Sequence, residues 1–457
     1  MVARDIDIRP LLENRRIGRF QALTLSLGVL TLFVDGLDYS AVNAGSAAIM
    51  RAFGAKPSDM GQVFSLGYVG IFIGTILFGV LADRFGRRPA LIMGVLAYSL
   101  PALATVFATS FQEVMLWRFL AGIGIGGVVP NVIALLTETA PKRHRVTFVM
   151  AAFVGYSAGN ASIAQIATWF IPVYGWQLVF LVAGVTGVAF CIVLALFLPE
   201  SVPYVAATKP GSAKLRALVQ RALPELGLTP EDRIVLRRPV SETRFSLGLL
   251  FESYRRIATP LLWIAFFAES LTFMTFSSWL VLVLESAGVS SQQAIQTFSY
   301  ASFGAMIAVF TLGRLIDYFG PKATVVSACV AVAAITYLGV PGLSLEVIVA
   351  VAIVAQASAS ATHQALNGMV GAYYPTIIRG NGVGIATGMG RVAAIIGPAA
   401  VGYLMAAKVP LQEVLIYIAA PDLVVAAACI GLHVLRRSPA ARADFERASP
   451  GAKEQLA

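Results

Sequence analysis

Twelve long apolar runs account for most of this chain of 457 residues, and they limit what it can fold into. A helix that crosses the hydrocarbon core of a bilayer needs about 20 predominantly apolar residues. The runs are of about that length, so we predict an all-α membrane protein with twelve transmembrane helices. The predicted spans are residues 21–50, 60–82, 90–109, 113–138, 147–171, 175–198, 259–285, 293–316, 323–341, 344–372, 382–406 and 411–435.

The composition excludes several other classes of protein. Hydrophobic residues make up 58% of the chain and charged residues 13%, whereas a soluble domain has about 45–50% and about 25%. The three cysteines lie singly inside apolar runs, which predicts neither a disulfide nor a metal site. The sequence has no Walker motif and no cluster of nucleophile and base, so we expect no enzymatic activity and no cofactor.

The basic residues indicate how the chain is oriented in the membrane. If the termini, the even-to-odd loops and the middle segment lie on one face, that face holds 29 of the 34 Lys and Arg residues. The opposite face holds Arg51, Lys56 and Lys408, while Arg118 and Arg391 fall within spans. Because Lys and Arg accumulate in cytoplasmic loops, we predict a multi-pass protein of the cytoplasmic (inner) membrane with both termini in the cytoplasm.

Polar segments divide the chain into four parts. Two six-helix halves, 1–198 and 257–435, are joined by a polar connector at 199–256 and followed by a solvated tail at 436–457. We attribute the basic residues of the connector to topology and to attraction by anionic lipid. Nucleic-acid binding is not expected, because no aromatic or fold signature accompanies these residues.

An internal repeat relates the two halves. One constant shift in numbering places the loop GVLADRFGRRPA at 79–90 on GRLIDYFGPKAT at 313–324. The same shift places Asp35 on Glu269. A repeat of this kind predicts two pseudo-symmetric halves, a binding site between them near the middle of the membrane, and transport by alternating access.

The loop at 79–91, GVLADRFGRRPAL, resembles the loop between the second and third helices of the major facilitator superfamily. Its glycines permit close helix approach and a tight turn, and Asp83 can pair with a nearby arginine or face a helix N-terminus. The segments RFLAGIGIGG at 118–127 and PES at 199–201 resemble sugar-porter branches of this superfamily. The resemblance implies the major facilitator fold and a cytoplasmic gate. The predicted gating residues are Gly79, Asp83, Arg84, Gly86, Arg87, Arg88, Glu138, Arg145, Asp317 and Arg379.

The DGxD element of the first helix, Asp35 to Asp38, narrows the resemblance from the superfamily to one of its families. It is similar to the aromatic acid:proton symporter family, as are the segments at 129–143, 171–176 and 373–398. This resemblance implies a secondary transporter that imports an aromatic carboxylate, such as a hydroxybenzoate or benzoate, with protons. The proton gradient then supplies the energy. The expected partners are the organic acid, protons and the lipid bilayer, and we expect the protein to work as a monomer.

Acidic residues inside the spans are predicted to couple transport to protons. Asp35 and Asp38 are three residues apart and share one helix face. Two neighbouring carboxylates in a low dielectric do not both ionise cheaply, so we expect one of them to hold a proton. Glu269, the counterpart of Asp35, is either a second proton site or the counter-ion of Arg391. Because Thr272 stands in the place of Asp38, we expect coupling to be concentrated in the first half.

Other polar and aromatic residues are predicted to bind the substrate. Arg391 lies among glycines, which leave space, and its forked guanidinium suits a carboxylate, so it binds the substrate or pairs with Glu269. Arg118 pairs with an acid on the first helix, meets the substrate, or has a structural role at a helix end. The predicted substrate-binding residues are Arg391, Arg118, His363, Asn367, Tyr39 and Phe273. The pattern assigns no role to Asp422.

Two alternatives remain open. The first is an importer of another organic anion, such as a dicarboxylate or a nicotinate-like acid, or of a sugar-type substrate. The second is a membrane sensor that does not transport, which needs a signalling partner for the connector. Uptake by reconstituted vesicles tests the sensor alternative, and competition between benzoate-type and non-aromatic acids separates the substrates.

Overall fold

The structure, a computed structural model, describes residues 5–228, 232–235, 247–319, 321–374 and 378–436. Nearly all of the predicted tail lies outside the described residues, as do the side chains of Asp317 and Arg379. Long helices dominate the described chain. This is expected for apolar segments in a bilayer, because a helix satisfies its backbone N–H and C=O groups within the segment.

The first part of the chain contains nine α-helices and one strand within the described residues. They are β1 (Asp5–Asp7), α1 (Ile8–Glu13), α2 (Arg19–Phe53), α3 (Pro57–Phe85), α4 (Arg87–Val106), α5 (Phe111–Thr139), α6 (Arg145–Tyr174), α7 (Gln177–Phe197), α8 (Val202–Thr208) and α9 (Ala213–Ala222).

The rest of the described chain adds a second strand and seven α-helices. They are β2 (Arg233–Val235), α10 (Arg255–Ser286), α11 (Ser291–Phe319), α12 (Pro321–Tyr337), α13 (Leu345–Val370), α14 (Arg379–Ala406), α15 (Leu411–Ala419) and α16 (Pro421–Arg436). Short 3₁₀ helices lie at Lys142–His144, Pro224–Leu226, Leu247–Phe251 and Gly371–Tyr373.

The long helices coincide with the predicted spans. Within the described residues, ten helical segments are long and apolar enough to cross a membrane, counting α15 and α16 as one. The other two predicted spans coincide with α12, a shorter apolar helix of 17 residues, and α11, a helix of 29 residues. The all-α, multi-pass fold is therefore confirmed.

The helix boundaries carry the same repeat as the sequence. The shift that aligns the two loops also aligns the first residues of five successive helices with those of their counterparts: α3 with α11, α4 with α12, α5 with α13, α6 with α14 and α7 with α15. The helices α3 and α11 also have the same length, 29 residues. The two halves therefore have the same order and spacing of helices, as the predicted pseudo-symmetry requires.

Internal contacts divide the chain into two compact units. Unit 1 comprises Met1–Ala48 and Leu66–Val240, and unit 2 comprises Ile49–Ser65 and Ser241–Ala457. The main apolar core of unit 1 is formed by α2 and α4 to α7. That of unit 2 is formed by α10, α12, α13, α14 and α16. The domain boundaries given above from the sequence stay a prediction.

The N-terminal segment and the connector fold together in unit 1. The strand β1 pairs in parallel with β2. Apolar residues of α1, α8 and α9 form one buried cluster, and Arg15 pairs with Glu225 at 3.2 Å. The polar composition of the connector did not predict this cluster. A signal was present in α9, where Leu215, Leu218 and Ala222 recur at helical spacing and are buried.

The last predicted span is two helices rather than one. Proline lacks an N–H group and clashes with the preceding turn, so a helix interior tolerates it poorly. Here α15 ends at Ala419, and Pro421 begins α16. The break places Asp422 in the first turn of α16, near the middle of the span.

Candidate functional site

Unit 1 holds a buried pair of acids together with one base. Asp35 and Asp38 lie midway along α2, and both side chains are fully buried. The guanidinium Nη1 of Arg118, on α5, lies 3.3 Å from Oδ2 of Asp38, and its carbon stands 4.7 Å from the ring centroid of Phe180. Since α5 begins at Phe111, Arg118 lies inside the helix, and the role at a helix end is wrong.

Asp35 differs from Asp38 because it has no polar partner. Neither of its carboxylate oxygens has a hydrogen bond to any described residue. The side chain is enclosed because α2 and α6 approach closely there. An added Cβ at Gly36 would meet the backbone of Tyr156, and one at Gly159 would meet the carbonyl of Phe33. An ionised carboxylate in such surroundings is costly, so this site favours the neutral acid.

Tyr39, Tyr98 and Tyr156 interact electrostatically with Asp35, and Tyr68 bonds to Tyr39. The hydroxyls of Tyr39 and Tyr68 are 2.8 Å apart, and the rings of Tyr39 and Tyr156 lie with centroids 5.8 Å apart. Tyr39 was predicted to bind substrate. The structure gives it these neighbours within unit 1, and substrate contact by Tyr39 stays a prediction.

Unit 2 holds a second buried acid with a titratable partner. Oε2 of Glu269, on α10, contacts Nδ1 of His363, on α13, and the other carboxylate oxygen has no partner among the described residues. The ring of Phe273 stacks on the His363 imidazole, with centroids 5.1 Å apart and planes at 27°. Asn367 donates its amide to the His363 carbonyl at 2.9 Å. The predicted residues Glu269, Phe273 and Asn367 therefore each contact His363, and among the described contacts His363 alone of the three substrate-site predictions contacts Glu269.

Arg391 has no acidic partner within the part of the chain that the structure describes. The predicted alternative, an ion pair between Arg391 and Glu269, is wrong because His363 takes that position. Gly390 packs against Ser270, which places half-buried Arg391 at the level of Glu269. An added Cβ at Gly384 or Gly388 would meet no described atom within 4 Å, so one side of α14 is open there.

The loop at 79–91, between α3 and α4, forms a charged network in unit 1. Oδ1 of Asp83 accepts from Nη1 of Arg87 at 2.9 Å, and Nε of Arg87 lies 3.5 Å from the Glu138 carboxylate. Glu138 also accepts from the Ser201 hydroxyl. Of the two contacts considered for Asp83, the pairing with an arginine is therefore the one present, and Glu138 also contacts the loop.

Glu200 completes this network and was missed as a site residue. Its Oε1 accepts from the backbone N–H of Arg87 at 2.8 Å and of Arg88 at 3.2 Å, so Glu200 caps α4. Gly86, at φ +105°, leaves no side chain to cap the helix, and an added Cβ would meet Glu200. The PES segment was the available signal, but its meaning depends on a contact between residues that are far apart in the sequence.

The other loop residues have less specific surroundings. Gly79 was predicted to allow close helix approach, but an added Cβ there would meet no described atom within 4 Å, so that reason is wrong. The Arg84 guanidinium lies 5.4 Å from the Phe85 ring centroid, and Arg88 donates to the Ala195 carbonyl. Arg145 pairs with Glu13 at 3.1 Å. For these residues and for Asp317 and Arg379, gating stays a prediction.

A repeated helix plan with acids and bases held inside the spans indicates a membrane transport protein. More narrowly, this chain belongs to the major facilitator superfamily, because the family model of that description matches residues 28–311 and 262–454. It is a transport protein and not an enzyme.

Two curated relatives match nearly the whole chain. The gallate transporter of Pseudomonas putida is 30% identical over 444 residues, which cover 96% of this chain and 98% of the relative. The 4-hydroxybenzoate transporter of Pseudomonas putida is 27% identical over 397 residues, which cover 87% and 89%. Both are named for aromatic acids, so the resemblance to major facilitator transporters of aromatic acids is confirmed.

A solved structure supports the fold. A bacterial homologue of the human lysosomal transporter Spinster, in an inward-facing and occupied conformation, aligns with a TM-score of 0.66. The alignment covers 93% of this chain and 100% of the other, at 16% identity. The predicted major facilitator fold is therefore confirmed.

Proposed function

We propose that this protein imports an aromatic carboxylate together with protons by alternating access. The observation that carries the proposal is Asp35, a fully buried acid in the middle of a span with no polar partner among the described residues. The names of the relatives, which transport gallate and 4-hydroxybenzoate, supply the substrate class.

Asp35 is suited to carry the proton because Arg118, the nearby cation, pairs with Asp38 and not with Asp35. Arg118 is always protonated, and it faces Asp38, which therefore stays ionised. A second negative charge at Asp35 would be repelled by Asp38 and would lack hydrogen-bond donors. While the site is closed to water, Asp35 holds its proton, and it releases the proton when the site opens to water.

Arg391 is suited to bind the substrate carboxylate. A half-buried guanidinium without an acid among the described residues has unused donors, and a carboxylate can accept two of them at once. The open side of α14 at Gly384 and Gly388 leaves room beside it. The stacked pair of Phe273 and His363, in the same unit, offers an aromatic surface for a ring.

Location and orientation are part of the same proposal. The protein lies in the cytoplasmic (inner) membrane with both termini in the cytoplasm, a placement supported by the 29 basic residues that fall on one face. It works as a monomer without a cofactor, and the proton gradient drives uptake. The network of Asp83, Arg87 and Glu138 is a cytoplasmic gate contact that opens and closes in the cycle.

The proposal is tested by transport into proteoliposomes. We expect labelled 4-hydroxybenzoate to accumulate only when the outside is more acidic than the lumen, and a protonophore to abolish accumulation. Excess unlabelled benzoate-type acids should compete, whereas dicarboxylates and sugars should not. Uptake that ignores the pH gradient contradicts proton coupling, and competition by non-aromatic acids alone contradicts the substrate class.

The role of Arg391 has its own test. Arg391→Lys keeps the charge but removes the two-pronged donor, so we expect about tenfold weaker apparent affinity for the acid, an effect of about 1.4 kcal/mol. The proton dependence should be unchanged, because Asp35 is untouched. Unaltered affinity in this variant contradicts a two-pronged contact.

A further inference from the structure

We propose that Asp422 is a second proton-binding carboxyl, which forms with Glu269 an acid pair in unit 2 equivalent to Asp35 and Asp38 in unit 1. The proposal rests on the proton-coupled transport proposed above. It revises the expectation that coupling is concentrated in the first half, and it gives a role to an acid that the sequence pattern left unassigned.

The first observation is the burial of Asp422 without a partner. The relative exposure of Asp422 is 1%, and neither of its carboxylate oxygens lies at hydrogen-bonding distance and angle from a donor of a described residue. An acid inside a membrane span is expensive and needs a reason. If its only purpose were packing, an apolar residue of similar size would serve at lower cost.

The second observation is the neighbourhood of Asp422. The α16 helix packs against α10, and the groups of α10 that interact with the Asp422 carboxyl are the Thr272 hydroxyl and Glu269. Thr272 is one turn beyond Glu269 on the same helix, so the two share a face. The hydroxyl therefore stands next to Asp422 on the side of α10 that carries the other acid.

The internal repeat explains why an acid is needed at this place. The shift that aligns the two halves puts Glu269 on Asp35 and Thr272 on Asp38, so α10 alone lacks the second acid of the pair. The α16 helix supplies a carboxyl beside Thr272, where the missing acid would have been. Unit 1 builds its acid pair on one helix, and unit 2 builds it from two.

The helix break before α16 allows Asp422 to be stable both with and without its proton. Asp422 lies in the first turn of α16, directly after Pro421. The N-terminal end of a helix carries partial positive charge and favours an anion. The neutral acid fits the buried site, and the first turn of α16 stabilises the carboxylate once the proton has left.

Few other groups that can carry charge face Asp422. On its own helix, the Cys429 thiol lies two turns on and interacts with it. On α12, which packs against α16, the described titratable groups Lys322, Cys329 and Tyr337 are exposed. On α15, Glu413 and Tyr417 are exposed as well. His433 lies at the other end of α16, and Glu285 lies near the end of α10, far along the helix from Glu269. Burial acts first on the charge of Asp422, and among the described residues Glu269 is the acid that interacts with it.

The decisive variant is Asp422→Asn, which copies the shape of the protonated acid but cannot release a proton. In proteoliposomes, we expect exchange of labelled for unlabelled 4-hydroxybenzoate to continue, because exchange needs no net proton movement. Accumulation driven by a pH gradient should be lost. Accumulation equal to that of the wild type would overturn the proposal.

Glu413→Gln is the matched control. It makes the same change of carboxyl to amide on α15, at an exposed position. We expect it to leave both exchange and accumulation unchanged. If Asp422→Asn does not fold, Thr272→Val replaces it, since that variant keeps the acid and removes its neighbouring hydroxyl. It should shift the pH of half-maximal uptake by about 0.5–1 unit, and an unshifted profile overturns the proposal.

Infrared spectroscopy separates failure of this proposal from failure of the proposed function. A buried protonated carboxyl gives a C=O band distinct from that of a carboxylate. We expect Asp422→Asn to remove one such band from the purified protein at neutral pH. If the band is removed but wild-type uptake ignores the pH gradient, proton-coupled transport fails and Asp422 is still a proton site. If the band is unchanged, the assignment of Asp422 is overturned.

Discussion

The buried acids of unit 1, Asp35 and Asp38, and those of unit 2, Glu269 and Asp422, differ in the basic side chain that they contact. In unit 1, Asp38 faces Arg118, and both side chains are buried. In unit 2, Glu269 faces His363, whose side chain is 18% exposed. Each unit also holds one further acid, Asp35 in unit 1 and Asp422 in unit 2, whose carboxylate oxygens accept no hydrogen bond from a described residue.

The difference between the bases sets what each acid pair can do. Arginine does not lose its proton in proteins, so the charge opposite Asp38 is fixed. Histidine changes charge near neutral pH, so a proton can move between His363 and Glu269 while their contact is kept. Unit 1 therefore holds a permanent ion pair beside Asp35, the proposed proton site, whereas unit 2 holds a pair of groups between which a proton can move.

The largest expected effect comes from removing the fixed charge. Arg118→Gln keeps a hydrogen-bond donor but leaves the Asp38 carboxylate buried without a cation, which should cost about 3–5 kcal/mol of stability. The midpoint of thermal unfolding in detergent measures this loss. The double variant Asp38→Asn with Arg118→Gln should recover most of it, and no recovery would show that the pair is not the cause.

A smaller effect is expected from the same change of base in unit 2. His363→Gln preserves a neutral donor to Glu269, which can hold a proton in place of an ion pair, so the cost should be about 1 kcal/mol. The same thermal unfolding assay checks this value. A loss equal to that of Arg118→Gln would remove the distinction drawn between the two clusters.

The smallest effect tests the aromatic neighbours of the unit 1 acids. Tyr39→Phe removes the hydroxyl that bonds to Tyr68 but keeps the ring, so we expect a loss of about 0.5 kcal/mol, the lower end for a neutral hydrogen bond. Phe273→Leu, which removes the ring stacked on His363, is the matching change in unit 2. If Tyr39→Phe abolished exchange of 4-hydroxybenzoate while folding normally, the tyrosine would have a direct part in substrate binding.

The spans and their repeat could be predicted because their causes are local. The bilayer sets the length of an apolar run, and the shift that relates the two halves of the sequence persists in the helix boundaries. The break between Ala419 and Pro421 was also marked in the sequence by proline, but the apolar run continued through it, and the predicted span at 411–435 ignored it.

The partners of the buried charges could not be predicted in this way. Asp38 and Arg118 lie far apart in the sequence, and so do Glu269 and His363. The sequence marked each of these residues as unusual in an apolar span, but which acid meets which base depends on how the helices pack. The same reason explains why the cap at Glu200 was missed and the ion pair between Glu269 and Arg391 was wrong.

The central claim is that a buried acid without a base carries the proton, and Asp35→Asn tests it most directly. Labelled 4-hydroxybenzoate is followed in proteoliposomes, first in exchange for unlabelled acid and then under an imposed pH gradient. We predict exchange close to the wild-type rate and accumulation no greater than without a gradient. Accumulation equal to that of the wild type would contradict the account.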